Sequence, residues 1–268
     1  MELISLSPWD LAIAASLVCL LALLSWFLRL GIGRRLLIAA ARSAVQLILL
    51  GMVLKTLFAQ TSLWLIGLLT LIMLAVAGYE VMARQQRRFS GFWGYGLGAM
   101  SMFLSSFTIT LLALFTVVKV DPWYQPQYLI PLLGMLLGNT MSGIAIALDN
   151  LTRTTWEQRN MIEARLIMGH EWHTAIASIR RDALRSGLIP IINAMTTAGI
   201  VSLPGMMTGQ ILAGSPPLEA AKYQLMILFL IAAGSGIGSV SAIWAGSKRL
   251  FDERQRLRLD RLDRVSRN

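Results

Sequence analysis

The sequence predicts an all-α, polytopic membrane bundle, a single domain over 1–268 with about seven transmembrane helices, the N-terminus outside and the C-terminus cytoplasmic. Three observations carry this. Of 268 residues, 56% are hydrophobic and only 14% charged, where a soluble domain carries about 25% charged residues. Apolar stretches long enough to span recur along the chain, a span needing about 20 residues for a roughly 30 Å hydrocarbon core. The cations then cluster on alternate connections. The single cysteine, Cys19, excludes a disulfide framework and a cysteine-based zinc site.

The expected spans are 9–28, 36–58, 63–83, 97–118, 129–148, 188–213 and 223–246. The first is not read as a cleavable leader: it starts near Glu2 without a cation and ends at Trp26-Phe27 rather than at small residues. With seven crossings, 20 of the 24 basic residues fall on one side, in the connections after spans 1, 3 and 5 and in the tail. Cations favour the cytoplasmic side. The net charge of +10 is therefore a topology signal, and nucleic acid is excluded as a partner. The tail 247–268 alternates signs and reads as a frayed, charged helix at the inner leaflet.

The connection 149–187 is the long cytoplasmic one. Thr154 to Glu157 reads as a capping box opening a helix. Gly169 stops that helix, and Trp172, Ile176, Ile179 and Ala183 form a second amphipathic stripe. Two short helices hinged at a glycine make a protruding knuckle, suited to docking into a groove on a soluble partner. Within it, Glu163-Ala164 is followed by Gly169 and, ten residues on, Ile179. This resembles the coupling loop of ATP-binding-cassette importer permeases. Arg165 stands where a second alanine is usual, and no leucine-proline follows Ile179. Glu219-Ala220-Ala221 falls on the outer side and lacks the glycine, so it is a decoy.

Span 6 interrupts itself at Leu203-Pro204-Gly205, followed by Met206 and Met207. Irregular backbone at membrane depth is tolerated where it lines a wet cavity or is buried in protein. The break is expected to line a translocation path or gate, with Asn193, Thr196 and Thr197 as a polar face below it. The alternative is a kink packed on span 7 through Gly209 and Gly214. The two methionines suit a deformable gate better than a metal site, because adjacent helical residues face apart.

Polar groups inside spans default to functional candidates. Arg42 and Gln46 share a face of span 2, and Glu80 ends span 3 at similar depth, so Arg42 and Glu80 are expected to pair. Asn139 lies on a Gly134, Gly138, Ser142 seam, either as packing glue or as a path-lining amide. His170 and His173 read as solvated knuckle residues. No catalytic set, metal-ligand set or phosphate loop is visible, so the chain is not read as an enzyme.

The run Arg42 to Leu47, the Gly134 to Asn139 stretch, the Glu163–Gly169 loop and above all VSLPGMMTGQILAG followed by EAAKYQLMI are similar to the FetB-type permease family. The resemblance covers about residues 36 to 250. It implies the membrane subunit of an ABC transporter in a bacterial inner membrane, a homodimer working with separate ATPase chains that bind ATP and magnesium. Bacterial members are assigned to iron export, and plant relatives are linked to aluminium tolerance. The residues alone leave open a stand-alone channel or secondary transporter, disfavoured because no acidic residue sits deep in a span.

Overall fold

The computed structural model describes residues 7–59 and 62–264. The reading that rests on Glu2 lies outside them, as do the last four residues of the tail. The chain divides into two compact units.

The first unit is a helical hairpin, with Leu212–Gly214 grouped to it. Helix α1 is Pro8–Phe27 and α2 is Gly33–Ala59. The Ser7 hydroxyl accepts from the Asp10 N–H while the Asp10 carboxylate accepts from the Ser7 N–H, a reciprocal cap closed by Pro8 in the first turn. Almost every apolar side chain of the hairpin is exposed within the chain, the surface that a hydrocarbon solvent covers.

The second unit starts with α3 (Leu63–Ala83) and a short strand β1 (Arg87–Phe89). Helix α4 (Phe92–Met102) continues through a π-helical turn into α5 (Thr108–Ala113) and a second π turn to Val118. Then come α6 (Pro126–Glu157), α7 (Arg159–Ile167), α8 (Trp172–Ala175), α9 (Ala177–Thr197), α10 (Gly205–Leu212), α11 (Pro217–Arg249) and strand β2 (Leu262–Arg264). Helix α6 is the central element: Leu133, Leu136, Ile144, Leu148 and Leu151 are all fully buried.

Contacts set the helix directions. Gly78 of α3 meets Ala99, and Gly94 meets Met82, so α3 and α4 run oppositely. Along α11, Gly234, Gly238 and Gly246 meet Leu136, Ile144 and Leu151 of α6 in turn, so these two helices run parallel. A return pass must lie between them. Helix α9 makes its first part: it starts at the end where α6 finishes, and Gly187 crosses Gly143 so closely that a Cβ at Gly187 would stand 2.7 Å from the Gly143 carbonyl oxygen. The expected small-residue packing of Gly234, Ser235, Gly238 and Ser239 is present; a Cβ at Gly238 would fall 2.8 Å from Thr140 and 2.9 Å from Ile144 and Ser105.

Among the described residues, six helices are long and apolar enough to cross a membrane. The expected sixth span, 188–213, is not one helix. Helix α9 starts earlier, at Ala177, and ends at Thr197, and the irregular segment 198–204 precedes α10. The break thus begins seven residues before Gly205-containing α10 rather than at Pro204. Gly199 has a positive φ of 82°, which an L side chain adopts only with strain. Its N–H donates to the Ser202 carbonyl at 2.9 Å, and Val201 and Ser202 both donate to the Thr197 carbonyl. That local turn satisfies the Thr197 carbonyl, the last of α9, in place of the next helical turn.

Two further expectations are corrected. The Thr154–Glu157 capping box does not form, because α6 runs on to Glu157. Its buried face continues through Leu151, Thr152 and Thr155, so continuing the helix keeps those side chains packed. Glu157 instead faces Arg153 at 3.8 Å. The tail is not a frayed helix either. After Arg249 it folds back: Phe251 bridges to Leu257, and β2 pairs antiparallel with β1, Phe89 opposite Leu262. Leu250, Phe251 and Leu262 are buried. Burying three large apolar groups stabilises the fold-back by about 1.5–3 kcal/mol per side chain, more than an exposed charged helix would gain.

Candidate functional site

The end of the second unit where α3, α6 and α11 finish carries a compact cap. Thr152 donates to the Arg87 carbonyl at 2.8 Å, and the Asp149 carboxylate accepts from the Gln86 N–H at 2.6 Å. The Arg87 guanidinium stacks 3.8 Å above the Trp156 ring. On this base stands the knuckle. Ile162, Ile176 and Ile179 are fully buried and anchor it. Arg165 donates to the Ala175 carbonyl at 2.9 Å. The residue that departs from the coupling-loop pattern therefore ties α7 to α8.

Gly169 ends α7 with a φ of 87°, and the His170 N–H closes the turn on the Arg165 carbonyl at 3.1 Å, a left-handed helix stop. The fold-back tail braces the other side. Trp172 packs on Phe251 with ring centroids 5.6 Å apart, and its N–H donates to the Gln255 side chain at 3.0 Å. Asp252 holds the tail turn by accepting from the Arg254 and Arg256 N–H groups at 3.0 and 2.8 Å and pairing with the Arg256 guanidinium at 2.8 Å. Those donors hold its carboxyl below the usual range, and Arg258 holds Asp260 down to about 2.

The expected coupling residues separate into two groups. Glu163, Ala164 and Gly169 are exposed, whereas Trp172 is half-buried and Ile176 is inaccessible. The last two shape the knuckle and leave the contact surface to others. Ile167 and Met168, at the tip, are 86% and 70% exposed. Sequence reasoning missed them because they fall off the amphipathic stripe; two apolar residues ahead of a helix-stopping glycine were the available signal. Reasoning also missed the tail. Arg254, Gln255 and Leu257 line, together with Glu163 and Gly169, one groove of about 600 Å³. His173 faces Glu171 at 3.1 Å. The decoy Glu219 pairs with Lys222 at 2.7 Å in the first turns of α11.

A second set of polar residues faces outward at apolar depth. From the Gly143–Gly187 crossing, Asn139 lies four residues along α6 and Asn193 six along α9, about 6 and 9 Å at 1.5 Å per residue. Both are exposed within the chain. The Asn139 amide donates to the Met135 carbonyl at 2.8 Å. Thr196 and Thr197 donate to the Ile192 and Asn193 carbonyls at 2.8 and 2.9 Å. With their protons used along the helix, these hydroxyls present lone pairs outward. The seam expected around Asn139 packs in part: a Cβ at Gly134 would stand 3.3 Å from Met73 of α3, whereas Gly138 meets nothing within 4 Å, and the closest contact of α6 runs one position over, through Thr140 and Gly143. Pro204, Met206 and Met207 are half-exposed and Gly205 exposed. Gly209 meets nothing within 4 Å, so α10 is not clamped there. Arg42 and Gln46 share an exposed face of α2 in the first unit. In the second, Glu80 faces Arg84 at 3.9 Å, and Arg84 donates to Ser142 at 3.2 Å. Among the described residues, no three His, Cys, Asp or Glu side chains group so as to hold a metal ion.

This architecture has relatives. The family described as "Uncharacterised protein family (UPF0014)" matches residues 8–251. A UPF0014 membrane protein of Synechocystis sp. is 37% identical over 240 residues, covering 88% of this chain and 90% of its own. The "Probable iron export permease protein FetB" of Escherichia coli is 30% identical, covering 92% and 93%. "Protein ALUMINUM SENSITIVE 3" of Arabidopsis thaliana is 32% identical, covering 86% and 83%. No solved structure gives a significant match.

Proposed function

The chain belongs to the UPF0014 family of membrane proteins, and on that premise we propose that it is the permease subunit of a transporter driven by a separate ATP-binding-cassette ATPase. The observation that carries this is the knuckle tip. Ile167 and Met168 project from a cap whose other exposed side chains are largely charged, among them Arg159, Glu163 and Glu171. Two adjacent apolar side chains held out at the tip of a helix–turn–helix offer an anchor that a partner groove can bury, and its bracing by the tail suits transmission of a partner's motion. ATP and magnesium bind in the partner, and this chain contributes no catalytic group. The arginine-rich cap lies in the cytoplasm by the positive-inside rule. The broken pass through α9 and α10 then makes the seventh crossing, and the N-terminus is outside.

The outward polar face of Asn139, Asn193, Thr196 and Thr197 supports a homodimer. Polar groups left facing lipid are costly, and a second copy covers them while enclosing a path lined by lone pairs. Such a path suits a cation, and the iron export named for the Escherichia coli relative makes a metal ion leaving the cell the leading cargo, across a bacterial inner membrane. The segment 198–204, with Pro204, Gly205, Met206 and Met207 following, is the gate. A tagged pull-down from native membranes tests the reading. A stoichiometric ATPase, reduced by Glu163→Ala, is the expected result; no ATPase in mild detergent transfers the function to a stand-alone transporter.

A further inference from the structure

At the membrane edge of the cap, α11 carries a groove with two dissimilar halves. The inner half, about 770 Å³, is lined by Lys248, Arg249, Arg254, Arg256 and Arg261 against only Asp252 and Glu253. Asp252 is already committed to Arg256 and two backbone N–H groups. With the Asp252–Arg256 pair set aside, four cations face one remaining carboxylate, Glu253. Two tryptophans border the charge: Arg249 stacks 4.7 Å from the Trp93 ring, and Lys248 lies 5.6 Å from the Trp244 ring. Tryptophan at such a level marks the hydrocarbon–headgroup boundary.

Trp244 also lines the outer half, an apolar furrow of about 570 Å³ that runs along α11 past Val240, Ile237 and Gly236 to Ala233. From Ala233 to Trp244 is about 16 Å of helix, close to half of the roughly 30 Å hydrocarbon core. Gly236 meets nothing within 4 Å and leaves the furrow open. A cationic pocket at headgroup level that shares Trp244 with an open apolar strip of α11 about one leaflet long matches one kind of ligand in both charge and length. We infer that this groove is a binding site for an anionic phospholipid of the inner leaflet. Its phosphate sits against Lys248 and Arg249 and one acyl chain lies along α11. The inference rests on the orientation given above for the leaflet, while the binding chemistry is independent of the ATPase.

Native mass spectrometry of the full chain in a neutral detergent tests this with dioleoyl phosphatidylglycerol, dioleoyl phosphatidylcholine and glycerol phosphate as probes. One phosphatidylglycerol is expected to be retained at least about tenfold better than phosphatidylcholine. The Lys248→Gln, Arg249→Gln double variant should weaken that retention about 30-fold, two juxtamembrane cations contributing about fivefold each. Gly236→Leu adds bulk to the furrow where a Cβ meets nothing within 4 Å and should weaken lipid binding with helix content unchanged by circular dichroism. Equal retention of both lipids overturns the site. Glycerol phosphate binding as tightly as the lipid, with Gly236→Leu silent, overturns the lipid in favour of a soluble anion. A dimer that Gly236→Leu converts to monomer overturns it in favour of a contact between copies. The ATPase pull-down is read separately, so neither failure conceals the other.

Discussion

Truncating the knuckle tip, Ile167→Ala with Met168→Ala, tests the coupling assignment most directly. Each truncation removes three heavy atoms, about 2.4 kcal/mol of burial at about 0.8 kcal/mol per methylene. Ile167 and Met168 are 86% and 70% exposed, so a partner groove can newly bury about 2.1 and 1.7 kcal/mol of that. Ordering each side chain in the complex costs about 0.5–1.5 kcal/mol, which truncation returns. The balance is about 2 kcal/mol, or about 30-fold in Kd. The permease itself should be unaffected, since exposed truncations stay within about 0.5 kcal/mol. The assay is titration of the co-purifying ATPase against immobilised permease, with thermal unfolding as the control. A Kd within about threefold of the parent, with folding intact, refutes the tip as the docking point.

Further expectations follow from the same geometry. Gly199→Val should strain the positive φ and reduce transport more than membrane insertion, by about 1–2 kcal/mol of local strain; transport by reconstituted vesicles checks this. Pro204→Ala with Gly205→Ala should leave the break in place, because the turn at Ala198–Ser202 precedes it, so transport in the same vesicles should fall less than in Gly199→Val. Gly238→Leu should cost about 1–3 kcal/mol or more through overpacking on Thr140 and Ile144, read as a lowered Tm. Asp252 and Asp260 titrate below their ordinary range when folded, so their contribution is present above about pH 4 and is lost as pH falls, for Asp260 through about 2. Protection of the tail amides in hydrogen exchange should follow that loss, and Asp252→Asn should show it at neutral pH.

Much was legible from pattern. Six of the expected spans appear as helices because long apolar runs have one outcome in lipid, where each backbone group must bond within its own segment. The Ile176–Ala183 stripe was readable for a related reason: apolar side chains three and four apart share a helix face. Boundaries were less legible where two rules competed. Thr154 and Glu157 have the residues of a cap, yet they sit on a helix whose next turn is still buried, and packing prevails over the local cap.

Apolar content and the alternation of arginine-rich connections thus belong to the sequence itself, because hydrocarbon solvent and membrane potential act on composition before any tertiary contact forms. Three features were decided only by the fold. The tail became a brace because Leu250, Phe251 and Leu262 could be buried against β1 and the knuckle. The break in the α9–α10 pass moved to Ala198 because a local turn closes on the Thr197 carbonyl. Lys248, Arg249 and Arg261 became one pocket because the chain reversed after α11. Each depends on residues distant in the chain meeting or on backbone bonds closing, and neither is written in local periodicity.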